Sequence, residues 1–136
     1  MKVKFDFVTN SSSTSFIIIP YEEFTLENFI EAIGLEEKSS FAPIFEDLFC
    51  SFSDKMETIE GYSHRWMNGG ESIESFVERI FSKETLFKVR EAQKKGFQVY
   101  IGELYSDNGE TECFFCTDAF IIDSSKIFVD ATNDGW

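Results

Sequence analysis

Lys2-Val3-Lys4-Phe5-Asp6-Phe7-Val8, then Thr9-Asn10-Ser11-Ser12-Ser13-Thr14-Ser15, then Phe16-Ile17-Ile18-Ile19-Pro20 open this chain. The first run alternates. Val3, Phe5 and Phe7 share one face and Lys2, Lys4 and Asp6 the other, the period of a half-buried strand with a solvated outer face. Residues 15–19 read as a second strand, ended by Pro20. Serine tracts usually belong to linkers, but this one is clamped between two strand-like runs. It reads as a fixed turn whose hydroxyls bond nearby backbone groups.

The far end of the chain is also β. Phe97 to Ser106 is strand-like, and Asn108-Gly109 is a strong signal for a two-residue type I′ hairpin. That turn sets Tyr105 opposite Glu112, Glu103 opposite Phe114 and Ile101 opposite Cys116. Gly102 then lies opposite Phe115, whose ring covers the missing side chain. Ile121-Ile122 continue the strand, Lys126 to Val129 form a short last one, and Asp130 to Trp136 read as a tail.

Helices fill the middle. Leu26, Phe29, Ile30 and Ile33 hold helical spacing behind an N-cap at Thr25, with Gly34 as the stop. After Ser40, a stripe of Phe41, Ile44, Phe45, Leu48, Phe49 and Phe52 carries Pro43 in its first turn. Ser72 caps a third helix with Ile73, Phe76, Val77, Ile80 and Phe81. A break near Ser82 leads to a fourth through Lys95, closed by Gly96 with Phe97 set for a Schellman contact. Residues 54–70 show no clear period, and a short strand fits there. The whole reads as a single α+β domain over residues 1–136. A mostly antiparallel sheet forms from the N-terminal strands and the C-terminal hairpin, with about four helices between, packed on one face.

Composition bounds the function. The chain holds 17 Phe beside 4 Tyr and 2 Trp. Phe has no polar handle, so a close-packed aromatic core is expected. No apolar leader and no membrane-length apolar run stand in the sequence, and the three Cys read as reduced thiols. A cytoplasmic protein is expected, and the sequon at Asn10-Ser11-Ser12 is read as chance. The net charge is −13. Residues 21–82 carry 4 basic and 14 acidic side chains, residues 83–96 carry 5 and 2, and residues 97–136 carry 1 and 8. Nucleic acid and anionic membrane are disfavoured as direct partners. The acidic surface suits a basic partner protein, and homo-oligomerisation stays open. The basic stretch Lys83, Lys88, Arg90, Lys94 and Lys95 reads as the solvated face of a helix.

Few residues suggest chemistry. Cys113-Phe114-Phe115-Cys116 has CxxC spacing, but on a strand residues three apart face opposite ways, so no metal or redox pair is expected. Asp130 to Gly135 echoes the start of a calcium loop without its twelfth-position ligand. The serine tract has no glycine or following lysine, so it is no phosphate loop. No metal or cofactor is expected. His64 is the single histidine. With Tyr62, Arg65 and Trp66 it forms the best binding group, either for a small ligand or as protein-interface anchors.

Phe7-Val8-Thr9-Asn10-Ser11-Ser12-Ser13-Thr14-Ser15-Phe16-Ile17-Ile18 resembles the opening of a group of small bacterial and phage proteins of unknown function. These begin with a short strand, Phe-Val-Ser/Thr-Asn, a run of serines, then Phe and aliphatics. Thr9 and Thr14 depart from the serines of that pattern but keep the hydroxyl. The resemblance covers about the first eighteen residues and implies a bacterial or phage cytoplasmic protein, with no activity to carry over. Three functions follow for testing. The first is a non-enzymatic protein-interaction module. The second is a substrate of an enzyme modifying Ser11, Ser12, Ser13, Thr14 or Ser15. The third is a small-molecule binder or enzyme using Tyr62, His64, Arg65 and Trp66. An acidic DNA mimic is a variant of the first.

Overall fold

The computed structural model describes residues 6–7, 13–34, 42–66, 70–105 and 118–134. In chain order these form β1 (Asp6–Phe7), β2 (Ser13–Pro20), α1 (Leu26–Ile33), α2 (Ala42–Lys55), β3 (Glu57–Thr58) and α3 (Ile59–Trp66). Then come α4 (Ile73–Ile80), α5 (Lys83–Lys94), β4 (Tyr100–Tyr105), β5 (Asp118–Asp123) and β6 (Ile127–Asp134). The strands join one antiparallel sheet in the order β1-β5-β6-β2-β4-β3. The α+β class and antiparallel sheet are as the sequence predicts.

The helices cover both faces of the sheet, not one. Phe16 and Ile18 point into a core shared with α1 and α2, whereas Ile17 and Ile19 point into a second core shared with α3, α4 and α5. All four side chains are fully buried. Successive side chains of a strand alternate between faces, so a continuous apolar run needs cover on both. The first core is the aromatic one. Phe16 and Phe52 lie 4.5 Å apart between ring centroids, and Phe29 stands edge-on to Phe52 at 6.0 Å. Phe24 and Phe49 join them at 4.8 Å.

Local signals formed the helices they announce. Thr25, Ser72 and Ser82 each accept the backbone N–H three residues on, as N-caps do. At the end of α5, Phe97 N–H reaches Ala92 O and Gly96 N–H reaches Gln93 O, the Schellman pair, with Gly96 at φ +83°. A fifth helix, α3, occupies part of 54–70. It hides from periodicity because it is short, contains Gly61, and among its described side chains buries only Ile59 and Tyr62. Gly61 N–H bonds Thr58 Oγ1 at its start.

At Ile101 the sheet departs from the expected hairpin register. Ile101 is flanked by Ile17 and Glu57, so the register that set it beside Cys116 does not hold. Residues 106–117, with the Asn108-Gly109 turn and Cys113 and Cys116, lie outside the described residues. Gly102 faces Phe16, and a Cβ there would sit 2.7 Å from both that ring and the Lys55 carbonyl oxygen. A ring that covers this glycine is therefore that of Phe16. The supposed tail is strand as far as Asp134, paired with β2 and, through Ala131, with β5. β5 and β6 separate β1 from β2, so the serine tract does not join neighbouring strands.

Candidate functional site

Among the described side chains, those singled out in sequence do not gather into one site. Tyr62 turns inward from α3 and is buried, and its hydroxyl donates to Glu103 Oε1 at 2.6 Å. Burial, then the Glu103 hydrogen bond and charge, raise its pKa, against a smaller lowering by a hydrogen bond to Ser15. His64 is exposed, two residues further along α3 and so on the opposite side from Tyr62. The side chains of Arg65 and Trp66 fall outside the described residues. Of the hydroxyl tract, Thr14 and Ser15 are buried in β2 between β4 and β6. Neither is presented to a modifying enzyme; Ser11 and Ser12 lie outside the described residues. Among the described side chains, Ser15 and Tyr62 are thus the proposed site residues that the fold brings together.

Two carboxylates on this face serve the fold. Glu103 accepts Tyr62 on one oxygen and the Tyr105 hydroxyl on the other at 2.5 Å, with the Lys55 ammonium 5.1 Å from the Tyr105 ring centroid. Asp130 is 1% exposed, a burial that a carboxylate tolerates only when well bonded. It accepts the Thr85 hydroxyl at 2.5 Å, the Thr132 N–H at 2.9 Å and the Thr132 hydroxyl at 2.5 Å. The β2–β6 register slips here, between the pairs Ser15–Asn133 and Ile17–Asp130. Asp130 thus holds the N–H that the bulge releases and ties it to the first turn of α5. Both groups act as acceptors for the protein's own donors. Among the described residues, no group of three His, Cys, Asp or Glu is placed to hold a metal ion.

The surface most open to another molecule lies on α5. Among the described residues Ile44, Tyr105 and Phe87 are exposed large apolar side chains, at 40%, 41% and 62%. Tyr105 is engaged by Glu103, which leaves Phe87 the most open of the three. A groove of about 270 Å³ runs beside it, lined by Phe87, Ala92, Tyr21 and Phe97 with Lys88, Glu91 and Lys95. Tyr21 and Phe97 meet edge to face at 5.4 Å. Lys88 reaches Asp123 at 3.3 Å, whereas Lys95 makes no ion pair among the described residues.

No family model, curated protein or solved structure matches this chain. Phe87, Tyr21 and Phe97 therefore have to be judged on their own geometry. The sequence held a signal for Phe87. Leu86, Val89 and Ala92 trace the buried stripe of α5, and Phe87 stands off it. No such signal marked Glu103 or Asp130, whose partners come from distant parts of the chain. Among the described residues no helix is long and apolar enough to cross a membrane.

Proposed function

We propose that this protein is a non-enzymatic protein-interaction module whose contact face is the outer side of α5. The observation that carries this reading is Phe87, 62% exposed beside an aromatic-lined groove. A single exposed apolar residue is ordinary on a protein surface, but an exposed ring on a groove that also holds Tyr21 and Phe97 has the anchor geometry of interfaces. The competing readings have less support. Glu103 and Asp130 already hold the protein's own hydroxyls, and His64 stands apart from Tyr62.

A photo-crosslinking residue placed at position 87, in protein expressed in its native host, tests the reading. The same residue at exposed Gln93 on α5 serves as control. A discrete adduct from position 87 and none from position 93 is expected. No adduct, or the same adducts from both positions, would count against an α5 interface.

A further inference from the structure

We infer that the α5 groove receives an acidic segment of a partner protein, about four extended residues long, with one large apolar side chain seated against Phe87 and the Tyr21–Phe97 pair. This rests on the reading of α5 as the contact face and names what fits it. The length follows from geometry. The groove runs along α5 from Phe87 to Lys95, two helical turns or about 12 Å, which about four extended residues span. The apolar anchor follows from the rings of Phe87, Tyr21 and Phe97 and from buried Ala92, which offer apolar area between the charged side chains of Lys88, Glu91 and Lys95.

The acidic character follows from charge. Residues 83–96 hold 5 basic and 2 acidic side chains in a chain of net charge −13. Lys83 and Lys95 make no ion pair among the described residues. The Lys88–Asp123, Arg90–Glu74 and Lys94–Glu91 pairs are exposed and contribute little, so they oppose an incoming carboxylate only weakly. The same acidic surface repels such a segment everywhere else, which confines it to α5. The partner that the overall charge suggested was basic; the exposed ring stands instead in the basic stretch. A second copy of this chain fits less well, because it would bring two strongly acidic molecules together.

The test is fluorescence anisotropy with the full chain and labelled twelve-residue peptides. One peptide alternates Glu and Asp around a central Phe. A second replaces that Phe with Ser, and a third replaces the acids with Gln and Asn. The first peptide should bind at least fivefold more tightly than either other. Phe87→Ala and Lys95→Gln should each weaken it at least threefold, and both variants should keep the wild-type circular dichroism and melting temperature. Equal binding of the neutral peptide, or no loss in either variant, overturns the inference. Light scattering that shows a concentration-dependent dimer dissolved by Phe87→Ala also overturns it, in favour of a second copy. A crosslink from position 87 with no peptide binding overturns the acidic segment and leaves the α5 interface standing. Failure of both removes both.

Discussion

Tyr62 is placed by a helix that periodicity does not reveal, and its environment makes a testable demand. Its hydroxyl is buried and bonded to Glu103, which favours the neutral phenol and raises its pKa above 10.0. A raised pKa in the folded state gives stability that is complete below the unfolded value and lost as pH climbs through the folded one. Wild-type protein should therefore lose stability above about pH 10, and Tyr62→Phe should lose it less steeply, in urea titrations at increasing pH. Equal slopes would mean that Tyr62 does not control the alkaline limb. In the sequence Tyr62 stands with His64, Arg65 and Trp66 as one group. Helical geometry sets His64 apart from Tyr62, because residues two apart on a helix face away from each other.

At the scale of elements, α5 and β6 depend on each other through Asp130. Asp130→Ala leaves the Thr85 hydroxyl and the Thr132 donors without their acceptor, which should cost about 1–3 kcal/mol. A double-mutant cycle with Thr85→Val, read by urea unfolding, should show non-additivity of about 0.5 kcal/mol or more. Additive losses would mean that the contact carries no coupling. Elements announced by local chemistry were legible. Thr25, Ser72, Ser82 and Gly96 act on backbone groups within five residues, so their meaning is complete in a short window. Strand partners are not local, and there the sequence reading failed. Asp130 to Asp134 looks like a tail because Asp, Thr and Asn favour turns. It is strand because β2 and β5 offer it hydrogen bonds on both sides.

For the whole molecule, the run Phe16 to Ile19 carried more than was taken from it. An apolar run without alternation implies cover on both faces, and the helices are divided accordingly. The candidate site was less legible, because a groove between α5 and the ends of two other segments exists only after folding. Charge sets a property of the entire surface. At net −13 the compact state repels itself, and exposed ion pairs such as Arg90–Glu74 return little. Raising salt from ~10 mM to ~150 mM shortens the screening length from ~30 Å to ~8 Å and should raise the melting temperature. A fall would show that surface pairs outweigh the repulsion.

The place of β2 in the sheet governs when the protein can fold. One of its edges is completed by β4 and the other by β6, which is made of residues 127–134. A nascent chain emerging from the ribosome has Phe16 to Ile19 long before either partner exists. The two edges of β2 wait without their native partners while most of the remaining chain is made. Such long-range pairing makes folding slow and late, and gives the growing chain a sticky apolar segment for chaperones to shield.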